Sequence, residues 1–241
     1  MQAAILVGGL GTRLGPLTKA VPKPMVLVGG KPFLEHEIRL LKRNGILDFV
    51  LCVGYLGRMV EDYFGEGGKL GVRIRYSHDG PRLLGPAGAL KKAEALLDDR
   101  FFVTYGDAYL RADYSGLMRA LVESGKLGVM AVWHNRGRYG KSDLVVEDGR
   151  VVRYEKGGRD KDLEWVNFGV SALSKRALAL IPSGRECGEE EFYGELIKRG
   201  QLLAFPVDNR FYEIGTPGSL AEFERFLSGP GRKKDRPTRR T

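Results

Sequence analysis

Residues 6 to 25 read LVGGLGTRLGPLTKAVPKPM. Gly8, Gly9 and Gly11 follow an apolar run that ends at Val7. With no Cβ at these positions, the chain can turn tightly and bring backbone N–H groups close to an anion. Arg13 comes next, a guanidinium fork able to grip two phosphate oxygens together. Lys23 stands between Pro22 and Pro24, which remove backbone freedom around a point charge. A triphosphate suits two such cations beside a glycine loop. Two better-known phosphate loops do not fit. The dinucleotide fingerprint G-x-G-x-x-G fails because Leu14 stands where the third glycine belongs, and no Gly-Lys-Ser/Thr closes a Walker A loop.

A carboxylate for a metal is the second requirement of polyphosphate chemistry. Asp107 follows the apolar run Phe101 to Tyr105 and Gly106, which places it just past the carboxyl end of a strand, where open α/β sheets bind their ligands. Mg²⁺ takes one or two carboxylates and completes its shell with phosphate oxygens and water, so few protein ligands suffice.

The stretch from Leu6 to Met25 resembles the G-G-x-G-T-R-L-x-P-L-T…P-K-P-M signature of sugar-nucleotide pyrophosphorylases, and Gly29-Gly30-Lys31-Pro32-Phe33-Leu34-Glu35 continues it. The similarity extends nearly to Leu227 and is nearest to heptose-1-phosphate guanylyltransferases and their mannose-1-phosphate relatives. It implies a Rossmann-like (GT-A-like) α/β fold, a Mg²⁺ ion and a nucleoside triphosphate under the glycine loop. The implied reaction moves a nucleoside monophosphate, from GTP in the nearest likeness, onto a heptose- or mannose-type sugar 1-phosphate and releases pyrophosphate. Arg13 and Lys23 are then the catalytic cations. The nucleotide set is Leu6, Gly8, Gly9, Gly11, Thr12, Arg13, Lys23, Gly85 and Gly88. Glu155, Lys156 and Asn167 resemble the acceptor side, with lysine on the sugar phosphate and glutamate and asparagine on sugar oxygens. Asp107 and Glu213 are the implied metal ligands, and two departures from the pattern stand out. Glu213 replaces the usual Asp before x-Gly-Thr, and Pro86 and Ala87 replace the usual residues of the loop under the nucleobase. UTP, dTTP or CTP therefore stays an alternative to GTP. A non-catalytic regulatory subunit on the same fold is a further alternative, opposed by the retention of both cations and both acids.

A phosphate monoester is already anionic at neutral pH, its second pKa being near ~6, so the attacking group needs no general base. The absence of a Ser/His/Asp or Cys/His constellation agrees with this. Cys52 and Cys187 lie far apart outside any zinc or redox spacing and read as two reduced thiols. His36, His78 and His134 share no ligand spacing.

Charge sets a limit on partners. The chain has 241 residues and a net charge of +9, but residues 229 to 241 hold six Lys or Arg against one Asp, leaving +4 for the rest. No basic and aromatic residues interleave as a nucleic-acid surface would require. The expected partners are the two small substrates, with a homodimer left open. No apolar run approaches the ~20 residues that span a bilayer, and the first residues lack a basic n-region, so the expected location is cytoplasmic.

These residues need a scaffold. Apolar β-rich runs alternate with helical patterns: Ala3 to Val7, then Phe33 to Leu41; Phe49 to Val53, then Met59 to Phe64; Val72 to Tyr76, then Ala89 to Leu97; and Phe101 to Tyr105. That alternation predicts βαβ units and a mixed, mostly parallel sheet flanked by helices. In the first helix Phe33, Leu34, Ile38 and Leu41 mark a core-facing stripe in which Glu37 is the one polar intruder. After Asp107 the runs Leu127 to Trp133, Leu144 to Val146, Val151 to Tyr154 and Trp165 to Leu173 follow with little helix between them, and Asp148-Gly149 signals a hairpin. This half predicts a small antiparallel acceptor-binding lobe. The expected organisation is one domain over residues 1 to 228 and a basic, disordered tail over 229 to 241.

Overall fold

The computed structural model describes residues 1–9, 11, 20–136, 141–158 and 160–229. The chain opens with β1 (Gln2–Leu6), β2 (Leu27–Val28), β3 (Lys31–Pro32), α1 (Phe33–Arg43), β4 (Asp48–Val53), α2 (Gly57–Phe64), β5 (Arg73–His78), α3 (Gly85–Lys92) and β6 (Arg100–Tyr105). It continues with β7 (Ala108–Leu110), α4 (Tyr114–Ser124), β8 (Gly128–His134), β9 (Leu144–Glu147), β10 (Arg150–Tyr154) and β11 (Trp165–Ser174). The last elements are α5 (Glu189–Lys198), β12 (Leu202–Pro206), β13 (Phe211–Glu213) and α6 (Pro217–Ser228).

Among the described residues a nine-stranded sheet runs in the order β5-β4-β1-β6-β11-β8-β12-β10-β9. β5, β4, β1 and β6 are parallel; β11 is antiparallel to both β6 and β8, and β12 is parallel to β8. The chain steps from β1 to β4 and β5 on one side, then returns to lay β6 on the other. Strand order thus reverses at β1 and β6, and a crevice opens there beyond their carboxyl ends.

Each strand face feeds its own layer. Ala3 and Ile5 of β1 pack with Leu34 and Ile38 of α1 and Leu117 and Leu121 of α4, whereas Ala4 packs with Leu90 of α3 and Phe192 and Leu196 of α5. Side chains alternate across a strand, so a central strand covered on both faces must be apolar throughout, as β1 is. A third cluster joins Phe33, Tyr109, Ile214 and Phe223 and seats the β7–β13 ribbon against α6. Helix α6 starts on a capping box between Thr216 and Ser219 with Pro217 in its first turn.

The predicted hairpin is present: Asp148 and Gly149 both adopt positive φ, 47° and 72°, and join β9 to β10. β10 also pairs with β12, so these antiparallel strands continue the main sheet. The helix expected from Ala89 to Leu97 begins earlier, at Gly85, and gives way to a short 3-10 turn over Glu94–Leu96. No helix among the described residues is long and apolar enough to cross a membrane.

Candidate active site

The loop after β1 and the loop after β6 face each other across the crevice. The end of β1 is tied to both neighbours: the Val7 N–H donates to the Cys52 carbonyl of β4 (2.9 Å), and the Gly106 N–H, just past β6, donates to the Leu6 carbonyl (3.0 Å). Gly8 is needed for close approach, since a Cβ there would lie 3.2 Å from the Gly54 nitrogen. Gly11 is needed for conformation, its φ of 65° lying in the left-handed region. Among the described residues, a Cβ at Gly9 would meet nothing within 4 Å.

A cleft of about 310 Å³ lies beneath this loop. Leu6, Gly8, Gly9, Gly11, Lys23, Gly85 and Asp107 all line it. Gly88 does not; it packs behind the cleft wall, its Cβ position 3.2 Å from the Arg185 carbonyl. Thr12 and Arg13 lie outside the described residues. A wider depression of about 510 Å³ opens at the other end of the parallel strands, beside Met1, Leu47 and Arg73, and holds none of the loop residues. Arg73 and Arg75 there are already paired with Asp48.

Lys23 sits in a short 3-10 turn, Lys23–Met25, closed by a 2.8 Å bond from the Met25 N–H to the Pro22 carbonyl. The lysine is buried, and its ammonium bonds the Asp107 carboxylate. Asp107 lies two residues beyond β6 and starts the β7–β13 ribbon, where the Ile214 N–H donates to its carbonyl at 3.3 Å. Glu213 stands opposite Ala108 in that ribbon, so the two acids predicted as metal ligands leave neighbouring positions. The Glu213 Oε2 accepts the Gly215 N–H at 2.7 Å, so the extra methylene lets the side chain fold back on its own loop. Asp107 lines the cleft, whereas Glu213 sits beside it in the ribbon and is not among the lining residues. Among the described residues no group of three or more His, Cys, Asp and Glu is arranged to hold a metal ion.

The residues expected on the acceptor side are tied to Glu189, Glu190 and Asp143. The Lys156 ammonium bonds Glu189, the buried first residue of α5, and the Lys156 N–H donates to Glu190 at 2.9 Å. The Asn167 side-chain oxygen accepts the Gly169 N–H at 2.8 Å inside a bulge of β11, so that oxygen shapes the strand. The Asn167 N–H in turn donates to the Asp143 carboxylate at 2.8 Å. Glu155 is exposed, its N–H donating to the Asp143 carbonyl at 2.8 Å.

Sequence reading missed four of these groups. Asp79 follows β5 as Asp107 follows β6, and the same strand-end rule would have found it. It is buried and lines the cleft, with Oδ2 accepting the Leu84 N–H at 3.3 Å, and burial raises its pKa. Tyr105 lines the cleft and gives its hydroxyl to Glu189. Asp143 is pushed up to about 7, chiefly by burial. Glu37 proves less bland than its stripe implied. It is fully buried, takes the Thr104 hydroxyl at 2.9 Å, and leaves Oε2 without a partner among the described residues. Burial holds its carboxyl well above the usual range. The thiol of Cys52, in the cleft floor, is pushed up to about 12 by burial, which excludes it as a nucleophile.

The profile of the Nucleotidyl transferase family matches residues 2–228. The D-glycero-alpha-D-manno-heptose 1-phosphate guanylyltransferase of Campylobacter jejuni is 33% identical over 92% of this chain and 98% of its own length. The mannose-1-phosphate guanyltransferase beta-B of Xenopus laevis is 34% identical over 95% of this chain, which spans 63% of that relative's length. The crystal structure of HddC from Yersinia pseudotuberculosis complexed with GMP-PN superposes with a TM-score of 0.77 at 25% identity, covering 94% of this chain and 99% of that one. With a family match over nearly its whole length and a full-length relative above 30% identity, the chain belongs to the nucleotidyl transferase family.

Proposed function

We propose that this chain transfers GMP from GTP to a heptose- or mannose-type sugar 1-phosphate and releases pyrophosphate, with Mg²⁺ as cofactor. The observation that carries the reading is the meeting of Lys23 and Asp107 under the glycine loop, at the sheet's switch point. The full-length match to a heptose 1-phosphate guanylyltransferase supports the acceptor class.

The chemistry asks for positioning and charge neutralisation more than for proton transfer. Backbone N–H groups of Gly8, Gly9 and Gly11 would receive the polyphosphate, Arg13 its outer phosphates and Lys23 the phosphate under attack. Lys156 would bring the acceptor phosphate, with Glu155 and Asn167 toward the sugar. Asp107 and Glu213 would hold Mg²⁺, which when bound supplies charge neutralisation across donor and acceptor. Guanine presents two adjacent donors on its Watson–Crick edge. Asp79, a carboxylate in the cleft wall opposite Gly8, supplies matching acceptors and supports GTP over pyrimidine nucleotides.

The test is a pyrophosphate-release assay crossing GTP, UTP, dTTP and CTP with mannose-, heptose- and glucose-1-phosphate, with and without chelator. Release confined to GTP with mannose or heptose 1-phosphate, and lost with chelator, is the expected result. Release with a pyrimidine nucleotide alone would move the base assignment, and release unaffected by chelator would remove the metal.

A further inference from the structure

Glu189 opens α5, where an acid is favoured by the helix dipole, yet both of its carboxylate oxygens are committed elsewhere. Oε2 takes the Tyr105 hydroxyl and Oε1 takes the Lys156 ammonium. The two donors come from separate parts of the fold. Tyr105 ends β6, lines the nucleotide cleft and stands two residues before Asp107. Lys156 lies just past β10, and its side chain is 62% exposed, a long flexible chain with Glu189 as the anchor of its charge.

The turn that carries Glu189 is fixed to the cleft by a second route. The Cys187 N–H donates to the Leu84 carbonyl (2.9 Å), and the Cys187 carbonyl accepts the N–H groups of Ala87 (3.1 Å) and Gly88 (3.2 Å). These bonds tie the start of α5 to the start of α3, whose first residue, Gly85, lines the cleft. Gly85 itself has a φ of 72°, and a Cβ there would lie 2.7 Å from the Cys187 oxygen, so the two segments are in backbone contact.

We infer that Glu189 is a positioning residue: it holds Lys156 at a fixed place relative to the nucleotide cleft and so sets where a phosphate monoester meets the bound nucleotide. The inference rests on the proposed function, in which Lys156 receives the acceptor phosphate. A carboxylate is the side chain suited to the task, because it has two acceptor oxygens and the negative charge an ammonium requires. Glutamine keeps the shape and only one acceptor. Tyr105 braces the carboxylate from the cleft side.

The experiment is steady-state pyrophosphate release by the full chain with GTP and whichever of mannose or heptose 1-phosphate the wild-type enzyme turns over. Glu189→Gln should raise the acceptor KM about tenfold, the size of one lost charge-assisted hydrogen bond, and leave the GTP KM unchanged. Tyr105→Phe should raise the same KM by less. In a Lys156→Ala background, adding Glu189→Gln should cause no further loss, since the glutamate acts through the lysine. An unchanged acceptor KM in Glu189→Gln, a parallel rise of both KM values, or additive losses in the double variant would each overturn the inference. Should Glu189→Gln fail to fold, Glu189→Asp, which keeps the charge but withdraws it from Lys156 by one methylene, carries the test on the same terms. A wild-type enzyme that releases no pyrophosphate with any pair defeats the proposed function and this inference with it; turnover with the acceptor KM unmoved defeats the inference alone.

Discussion

The Lys23 ammonium rests on the Asp107 carboxylate, a contact between residues 84 positions apart that joins the loop after β1 to the loop after β6. The lysine side chain is 10% exposed and the aspartate 29%, so each is the other's main compensation for leaving water. A metal taking Asp107 would deprive Lys23 of its partner, and the nucleotide's phosphates are the anion that would replace it. Metal and nucleotide should therefore bind together more readily than metal alone.

Removing the lysine tests that competition without any turnover. Lys23→Met should bind free Mn²⁺, read by electron paramagnetic resonance, about fivefold more tightly than the wild type when no nucleotide is present, the equivalent of roughly 1 kcal/mol of relieved competition. Its pyrophosphate release should fall about 10²- to 10³-fold, as for loss of a preorganised charge at the reacting phosphate. Weaker or equal Mn²⁺ binding by the variant would dismiss the competition.

Asp107→Asn leaves a buried ammonium facing a neutral amide. Urea denaturation should show a loss on the order of 2 kcal/mol, the scale of a partly exposed charge-assisted pair, together with loss of metal-dependent turnover. Adding Lys23→Met should recover most of the stability and none of the activity. A single variant as stable as the wild type would mean the ion pair contributes nothing to the fold.

Asp143 gives stability a pH dependence of definite sign. Burial, its largest cause, pushes the carboxyl up to about 7 from its ordinary 3.8; the Asn167 N–H opposes the shift and the Glu189 charge adds to it. Between those values the folded chain keeps a proton that the unfolded chain has released, so stability falls as pH rises from about 4 to 7 and the loss is complete above 7. Asp143→Asn retains an oxygen for the Asn167 N–H and carries no charge to bury. Its unfolding free energy from urea titration should match the wild type at pH 4 and exceed it at pH 8 by about 1 to 2 kcal/mol. A difference that does not vary with pH would contradict this.

The parallel half of the sheet was legible because β1, β4 and β6 are covered on both faces and must be apolar throughout, which makes short runs unmistakable. The glycine loop and Asp107 were legible because their residue types are dictated by backbone approach and by the strand end. What stayed hidden depends on contacts across long sequence separations. Nothing in Glu189-Glu190-Glu191 distinguishes the first acid, since an acidic start is ordinary for any helix; only folding brings Tyr105 and Lys156 to it. Glu37 was visible as an intruder, but its raised pKa follows from complete burial, which the Thr104 hydrogen bond opposes and periodicity does not report. Nor could the sequence say that the hairpin β9–β10 extends the main sheet, because β-pairing partners are chosen by packing as much as by local pattern.

Asp79 offers the sharpest test of the base. Its carboxylate accepts the Leu84 N–H at 3.3 Å and lies next to Gly8, where a Cβ on residue 8 would be 3.5 Å from its Oδ2. A group held in that way can discriminate bases by what it accepts. Asp79→Asn exchanges one acceptor for a donor that would face guanine's own donors, and a site left with mismatched buried polar groups loses far more than one that loses a methylene. The GTP KM should rise about 10²-fold while the KM for sugar 1-phosphate and the thermal midpoint stay close to wild type. Activity with UTP or CTP should change little or improve, because their bases do not present the guanine donor pair. An Asp79→Asn enzyme that keeps its wild-type preference among nucleoside triphosphates would remove this residue from base recognition and return the choice of nucleotide to the backbone of the Gly85 loop.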